Sequence, residues 1–241
     1  MTPPLFLLDP LPDAASFVLD GDEGRHAARV KRLGVGEALL VSDGRGTVLS
    51  CVVAAVQGDG LRLSVGSRTV EPAPDPRLVV VQALPKGDRG ELAVEMMTEL
   101  GVDEIVPWAA ARSITQWDDG ARGTKALARW QRTAQEAAKQ SRRAWVPQVA
   151  ALASTASLLG RLDGALVLHE AADVPLASVD LPASGELALV VGPEGGVSDD
   201  ELARFTAAGA KAVRLGAPVL RTSTAGPAAR AALSLRMGRW A

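Results

Sequence analysis

Three prolines within five residues interrupt the chain at Pro72, Pro74 and Pro76. Because proline has a fixed φ and no backbone N–H, such a segment continues neither a helix nor a central strand. It behaves instead as a semi-rigid linker. The segment therefore predicts two folded domains, residues 1–72 and residues 77–241.

Short apolar runs separated by glycine-rich turns make up the first predicted domain. Residues 38–42, 47–56 and 61–65 each have the length and composition of a strand, whereas residues 24–33 are more helical in type. Strands at this spacing indicate a small β-barrel or sandwich.

After the prolines, strand-like and helix-like segments alternate. Residues 78–84 are apolar except for Gln82, as expected of a strand that is buried on both faces. Apolar residues then recur at helical spacing between residues 92 and 100. Further strands are predicted at 104–106, 165–168, 187–191 and 212–215, and helices at 122–141, 155–161, 199–208 and 222–237. This alternation predicts an α/β fold with a mostly parallel sheet.

Two glycine loops follow predicted strands of the second domain. Residues 187–191 run into Gly192-Pro-Glu-Gly-Gly196, and residues 198–201 then have the pattern of a helix capping box. A second loop at 216–221 contains Arg221. Neither loop is a dinucleotide fingerprint or a P-loop, so a nucleotide pyrophosphate is not indicated. Together the loops predict a small-molecule site. Either loop alone is equally consistent with a tight turn that binds no ligand. Arg221 alone is equally consistent with a surface arginine.

Basic residues are concentrated in two stretches, although the net charge of the chain is −2. Residues 121–143 contain seven basic residues and one acidic residue, and residues 25–32 contain four basic residues and no acid. Such clusters fit phosphate contacts, while a solvated helix face gives the same pattern. Because the clusters fall on both predicted domains, we favour RNA binding.

Cys51 is the only cysteine, so no intrachain disulfide can form. With His26 and His169 far away in the sequence, we predict no metal site. The first residues lack the basic region and apolar length of a signal peptide, and no apolar stretch approaches the length of a membrane span. We therefore expect a cytoplasmic protein.

Spaced motifs along nearly the whole chain carry a family resemblance. They are His26, Val30 and Arg32; Lys86, residues 98–102, Pro107, Arg112 and Ser113; Glu136, Ala137, Gln140, Ser141, Arg143, Val146 and Pro147; and residues 192–196, Leu215, Gly216 and residues 220–222. In this order they resemble the bacterial 16S rRNA (uracil-N3)-methyltransferases, the RsmE family of the SPOUT superfamily.

The resemblance implies a PUA-like β-barrel that helps to hold RNA, followed by a SPOUT methyltransferase domain with a C-terminal trefoil knot. It also implies a homodimer that binds S-adenosyl-L-methionine in the knot and acts on 16S rRNA in the small ribosomal subunit. By position, the implied cofactor-binding residues are Leu168, His169, Glu170, Gly192, Pro193, Glu194, Gly195, Gly196, Leu215, Gly216, Val219, Leu220 and Arg221. Candidate RNA-binding residues, from the basic clusters and the matched motifs, are Arg25, His26, Arg29, Lys31, Arg32, Lys86, Arg112, Gln140, Arg142 and Arg143.

Methylation at N3 of uridine requires loss of a proton whose pKa is on the order of 9. The sulfonium of the implied cofactor already activates the methyl group, so this chemistry needs no metal. We expect Arg221 to stabilise negative charge on the base, with cofactor contact as its alternative. Glu194 is the second catalytic candidate, either as a proton acceptor or as a residue that orders its loop.

Three positions depart from the family pattern: Met96 where the family usually has lysine, and Ala111 and Ser223 where it usually has glutamate. An arginine common in the family is also missing near Leu5 and Phe6. We hypothesise that the family's lysine and two glutamates form a charge network, and that Met96, Ala111 and Ser223 replace this network as a unit. Two other functions stay open: a related SPOUT methyltransferase acting on another RNA, and a non-catalytic RNA-binding ribosome-assembly protein.

Overall fold

The computed structural model describes residues 2–240, and these divide into two compact units. The first unit comprises the chain up to Ala73 together with residues 138–146. The second unit comprises residues 74–137 and the chain from Pro147 onward. The expected division lies at the first of these boundaries, but residues 138–146 belong to the first unit and not, as expected, to the second domain.

The first unit contains one five-stranded sheet. Its strands are β1 (Leu5–Leu7), β2 (Ser16–Leu19), β3 (Ala38–Ser42), β4 (Thr47–Gln57) and β5 (Gly60–Val70). They are ordered β1-β3-β4-β5-β2, and only the β1–β3 pairing is parallel. The three predicted strands are confirmed, whereas β1 and β2 were missed because they have only three and four residues.

One face of this sheet is covered by a short helical segment, α1 (Gly21–Arg25), which continues as a π-helical turn, His26–Val30. Alternate residues of β4 point into the core, where Leu49, Cys51 and Val53 are buried. The ring of His26 packs edge-on against Phe6, with ring centroids 5.9 Å apart. His26 therefore has a packing role in this unit.

The second unit contains a seven-stranded sheet in which every pairing is parallel. Its strands are β6 (Arg77–Ala83), β7 (Glu104–Ala109), β8 (Gln148–Val149), β9 (Ala153–Ser154), β10 (Leu166–Leu168), β11 (Glu186–Val191) and β12 (Lys211–Val213). The order is β12-β10-β11-β6-β7-β8, and β9 also pairs with β7. The predicted α/β class with a parallel sheet is confirmed.

Helices cover both faces of this sheet. They are α2 (Arg89–Glu99), α3 (Ala121–Gln140), α4 (Thr155–Leu158), α5 (Asp199–Ala207) and α6 (Thr222–Arg236). Leu78 and Val80 of β6 lie in a core with α2, α3 and α6, whereas Val79 and Val81 lie in a second core with α4 and α5. The alternation along β6 is that of a strand buried on both faces. None of the helices in residues 2–240 is long and apolar enough to cross a membrane.

Because the strands are parallel, the loops that follow β6, β7, β10, β11 and β12 all leave the same edge of the sheet. This edge, which we call the carboxyl edge, contains both predicted glycine loops. The strand order also places the loop after β6 beside the loop after β11.

Candidate functional site

A cavity of about 670 Å³ opens at the carboxyl edge of the second unit. Its walls come from the ends of β10 and β11, the segment between β12 and α6, and the loop between β6 and α2. All of the residues that the resemblance implies for the cofactor line this cavity: Leu168, His169, Glu170, Gly192, Pro193, Glu194, Gly195, Gly196, Leu215, Gly216, Val219, Leu220 and Arg221. The sheet thus brings together three segments that are separate in sequence.

The loop after β11 favours glycine because two of its positions have close neighbouring atoms and a third has a positive φ. A Cβ atom on Gly192 would lie 2.9 Å from Cγ2 of Val197, and one on Gly195 would lie 3.1 Å from Cβ of Arg112. Gly196 has a φ of +73°, a conformation that L side chains rarely adopt. These glycines keep the backbone of the loop exposed to the cavity.

The capping box predicted after this loop is present. The Ser198 hydroxyl accepts a hydrogen bond from the Glu201 N–H at 3.3 Å, and Glu201 Oε2 accepts one from the Ser198 N–H at 3.1 Å. The pair fixes the point at which the glycine loop enters α5.

Glu201 also binds two other elements through Oε1. This oxygen accepts hydrogen bonds from the Ala111 N–H at 2.8 Å and from the Thr155 hydroxyl at 3.0 Å. Burial raises the pKa of Glu201, but the hydrogen bonds from Ala111, Ser198 and Thr155 outweigh burial and hold the pKa below its ordinary value. An ionised, buried carboxylate therefore joins the glycine loop to the loop after β7 and to α4. The sequence signalled only its capping role.

Three contacts hold neighbouring loops of the carboxyl edge together. Glu194 Oε1 accepts a hydrogen bond from the Lys86 N–H at 3.0 Å, so the glycine loop is tied to the loop after β6. The Thr115 hydroxyl donates to the Pro85 carbonyl at 2.8 Å. Arg112 Nη1 donates to the carbonyls of Gly195 and Val197 at 3.3 and 3.4 Å. Arg112, a candidate for RNA contact, thus holds the glycine loop.

The start of α6 is joined to the glycine loop by a buried chain of hydrogen bonds. Gln82 Nε2 donates to Thr222 Oγ1 at 3.0 Å, and Thr222 Oγ1 donates to the Gly192 carbonyl at 2.7 Å. Gln82 is completely buried, and the hydrogen bonds of its amide nitrogen to Thr222 and to the Ala83 carbonyl explain how an otherwise apolar strand accommodates one polar residue. Arg221, the residue just before α6, is exposed and lines the cavity.

The RNA-binding candidates are distributed differently from the expectation. Lys86 and Arg112 belong to the second unit, and the others belong to the first unit: Arg25, His26, Arg29, Lys31, Arg32, Gln140, Arg142 and Arg143. The expectation that the two basic clusters lie on different domains was therefore wrong in part, because residues 138–146 return to the first unit.

Several side chains of the two basic clusters already have acidic partners. Lys139, which belongs to the cluster at residues 121–143, is buried, and its Nζ lies 2.7 Å from Oε1 of Glu23. Arg29 Nε donates to Oδ1 of Asp59 at 2.8 Å, and Arg25 pairs with Asp22. The Lys139 pair links the end of α3 to α1 within the first unit, so this lysine is not a phosphate contact.

The three departures from the family pattern lie on three different elements. Met96 is half-buried on α2, Ser223 is buried in the first turn of α6, and Ala111 is exposed after β7 with its N–H bound to Glu201. Nothing in the structure explains why these residues replace charged ones.

Two family models match the chain. The RNA methyltransferase domain matches residues 71–234, and the RNA methyltransferase PUA domain matches residues 19–66. A crystal structure of a ribosomal RNA small subunit methyltransferase E from Neisseria gonorrhoeae bound to S-adenosyl methionine is also similar. It has a TM-score of 0.86 and 28% sequence identity, and the match covers 98% of each chain.

Curated relatives give the same result. The ribosomal RNA small subunit methyltransferase E of Mycobacterium bovis is 47% identical, over 98% of this chain and 93% of that protein. The protein of the same name from Bacillus subtilis is 33% identical, over 92% of this chain and 91% of that protein. The resemblance inferred from the motifs is confirmed, and the chain belongs to the ribosomal RNA small subunit methyltransferase E family.

Proposed function

We propose that this protein transfers a methyl group from S-adenosylmethionine to N3 of a uridine in 16S rRNA of the small ribosomal subunit. The observation that carries the proposal is the convergence of the three predicted cofactor segments on one cavity. The names of the relatives from M. bovis and B. subtilis support the small-subunit RNA as substrate. The choice of N3 of uridine rests on the family resemblance.

The residues that line the cavity fit S-adenosylmethionine. A volume of about 670 Å³ lies within the usual range for small-molecule sites. The side chains of Leu168, Val191 and Leu215 offer an apolar wall for an adenine ring, and the glycine loop offers backbone polar groups. The relative from N. gonorrhoeae was crystallised with this cofactor.

When bound, S-adenosylmethionine supplies a methyl group that is already activated by a positively charged sulfur. The protein's task is to position the base and to stabilise the charge left when N3 loses its proton. Arg221 is suited to that task because its guanidinium is permanently charged and it lines the cavity. We assign it the stabilisation of negative charge on the uracil ring.

For Glu194 we propose loop ordering rather than proton transfer. Its Oε1 accepts a hydrogen bond from the Lys86 N–H and so joins the loop after β6 to the loop after β11, the neighbouring strand. A role in ordering predicts that a neutral amide can replace the carboxylate, since an amide oxygen accepts the same hydrogen bond.

The C-terminal trefoil knot is part of the proposal. Between β12 at the edge of the sheet and α6 the chain passes the ends of β10 and β11. The Leu176 N–H donates to the Arg214 carbonyl at 2.8 Å, and Arg236 Nη1 of α6 donates to the Leu176 carbonyl at 2.9 Å. The segment after β10 thus contacts the chain both before and after the cavity wall, and these contacts support a threaded α6.

We further propose that the protein is a cytoplasmic homodimer whose first unit, as a PUA-like β-barrel, helps to hold RNA. The match of residues 19–66 to a PUA domain supports the RNA role. Exposed apolar side chains of the second unit, Ile114, Val219, Leu235 and Trp240, support burial in a dimer. Light scattering of the purified protein measures the mass of the assembly and tests this.

The test of function is an assay with a labelled methyl donor on small ribosomal subunits that lack the modification, followed by mass spectrometry of the nucleosides. We expect label in 3-methyluridine. Label in another nucleoside or another RNA would favour the related methyltransferase. Absence of S-adenosylmethionine binding by calorimetry, together with tight binding of the subunit, would favour the ribosome-assembly protein.

A further inference from the structure

The charges around the cavity suit a second ligand in addition to the cofactor. Four basic side chains line it, Lys86, Arg89, Arg214 and Arg221, against two acidic ones, Glu170 and Glu194. The cavity therefore has a surplus of two positive charges. S-adenosylmethionine has one sulfonium and one ammonium against one carboxylate, and is itself a net cation. Like charges repel at close range, so the surplus is suited to another, anionic ligand.

Two of the basic side chains lie on one wall of the cavity. The segments implied for the cofactor follow β10, β11 and β12, whereas Lys86 and Arg89 come from the loop after β6 and the start of α2. In the sheet, β6 lies beside β11 and on the side away from β10 and β12. This wall of the cavity is the one that the cofactor segments leave free.

The backbone that carries Lys86 and Arg89 is held firmly. The Lys86 N–H is bound by Glu194, and the preceding carbonyl of Pro85 is bound by Thr115. Beside Arg89, a Cβ on Gly90 would lie 2.7 Å from Cζ2 of Trp130, so the start of α2 is packed against α3. A fixed backbone lowers the entropy cost of presenting two long side chains to a ligand.

Neither basic side chain is neutralised by an acid. Within the part of the chain that the structure describes, no carboxylate forms an ion pair with Lys86 or Arg89. In contrast, Arg25, Arg29 and Arg112 each lie within ion-pair distance of an aspartate. Lys86 is exposed and Arg89 is half-buried. Their charges are therefore available to a ligand at the mouth of the cavity.

We propose that Lys86 and Arg89 bind backbone phosphate groups of the RNA next to the target nucleotide. This inference rests on the proposed function, because RNA is the anionic substrate of that reaction and has one phosphate per nucleotide. The two side chains place the strand at the β6 side of the cavity, while the cofactor occupies the side formed by β10, β11 and β12. Arg89 thereby becomes an RNA contact that the basic clusters in the sequence do not include.

The test is binding of a labelled single-stranded oligouridine of about ten nucleotides. Fluorescence anisotropy is measured on the full chain with S-adenosylhomocysteine present, between about 50 and about 200 mM KCl. The variants are K86Q, R89Q and the double variant. Arg204→Gln is the matched control, because Arg204 is on α5 and does not line the cavity.

For the double variant we expect a Kd for the oligonucleotide that is about tenfold higher at the lowest salt concentration. The slope of log Kd against log salt should become flatter by about 0.7 for each phosphate that the variant no longer binds, as expected for a single strand. The affinity for S-adenosylhomocysteine, measured by calorimetry, should change less than about twofold. The R204Q control should match the wild-type chain in all three measurements.

Three results would overturn the inference: no binding of the oligonucleotide by the wild-type chain, an unchanged Kd and slope in the double variant, or an equal loss of cofactor affinity. The last result would mean that the two residues serve the cofactor. Because the binding assay involves no methyl transfer, a chain that binds RNA as expected but methylates no subunits would contradict the proposed function alone.

Discussion

The two edges of the parallel sheet use their polar residues differently. At the carboxyl edge, glycine loops, exposed backbone and basic side chains surround a cavity. At the opposite edge, where the strands begin and which we call the amino edge, the polar residues pair with one another. Arg77, Glu104 and Glu186 begin β6, β7 and β11, and Arg161 lies just before β10.

The pairs at the beginning of the strands form one network. Arg161 Nη1 lies 2.8 Å from Glu104 Oε1, Arg77 Nη2 lies 3.0 Å from Glu104 Oε2, and Arg161 Nη2 lies 2.9 Å from Glu186 Oε1. Burial raises the pKa of Glu104, but the hydrogen bonds and charges of Arg161 and Arg77 outweigh burial and hold the pKa below its ordinary value. The carboxylate is therefore ionised, and each acid is matched by a base.

Polar residues at the carboxyl edge serve ligand binding, whereas those at the amino edge serve stability. Polar groups at the amino edge are satisfied within the protein, so their loss should affect folding. Several groups at the carboxyl edge, such as Arg221 and Lys86, are exposed at the cavity, so their loss should affect a ligand. The distinction is tested by variants on each edge.

The largest effect is expected at Arg221. Arg221→Ala should lower the single-turnover rate of subunit methylation by at least about tenfold, because the charge that stabilises the base is removed. The thermal unfolding midpoint should not change, since the side chain is exposed. Unchanged turnover would remove Arg221 from the mechanism. Arg204→Ala, outside the cavity, is the control.

On the amino edge, Glu104→Gln should lower the free energy of unfolding by about 2 kcal/mol at pH 7. The value is below that of a fully buried pair, because both arginine partners are about 40% exposed and water screens them. Methylation by the folded variant should be unchanged. Urea unfolding measures the stability, and the methylation assay measures the rate. Glu186→Gln should lower the free energy of unfolding by less, because the carboxylate of Glu186 is more exposed than that of Glu104.

The effect of Glu104→Gln on the free energy of unfolding should depend on pH. Because the pKa of Glu104 is lower in the folded chain, its stabilising effect is complete above the ordinary pKa of 4.5 and is lost as the pH falls below that value. The difference in stability between the wild-type chain and E104Q should therefore stay constant as the pH is lowered from 7 to about 4.5, and should shrink as the pH falls further. A difference that stays constant at the lower pH as well would mean that lost packing causes the effect.

A smaller effect is expected for the hydrogen-bond chain from Gln82 to Gly192. Thr222→Val keeps the shape of the side chain but removes the hydroxyl, and should raise the KM for S-adenosylmethionine by about fivefold with little change in kcat. Thr222→Ser keeps the hydroxyl and should restore the wild-type KM. If the valine and serine variants have the same KM, the hydroxyl does not position the glycine loop.

The smallest effect is expected for Glu194→Gln. An amide oxygen still accepts the Lys86 N–H, so turnover should stay within about twofold of the wild type, whereas Glu194→Ala should lower it more. A glutamine variant as slow as the alanine variant would instead indicate that the carboxylate accepts a proton. That result would move Glu194 from loop ordering into the reaction.

Much of the fold was predictable because local patterns encode it. The apolar run at 78–84, the helical spacing from residue 92 and the capping box at 198–201 each depend on neighbouring residues, and each element is present. The spaced motifs along nearly the whole chain, which include the glycine loops, also identified the family. Short strands such as Leu5–Leu7 were missed, because three residues are too few to show a period.

Partners far away in the sequence were not predictable. The two residues of the Gln82–Thr222 hydrogen bond are 140 positions apart, and Arg112 and Gly195 are 83 positions apart. Nothing in the pattern around Lys139 separates it from the exposed basic residues of the same helix, yet it is buried against Glu23. Such contacts depend on strand order and packing, which local periodicity does not contain.

By itself, therefore, the sequence determined the element types, the two glycine loops and the family to which the chain belongs. Only the tertiary structure decided that residues 138–146 return to the first unit, that Arg112 and Glu201 hold the glycine loop, and that Lys86 and Arg89 face the cavity. The reason is geometric. A parallel sheet gathers the ends of distant strands at one edge, and the neighbours of each side chain there follow from the strand order.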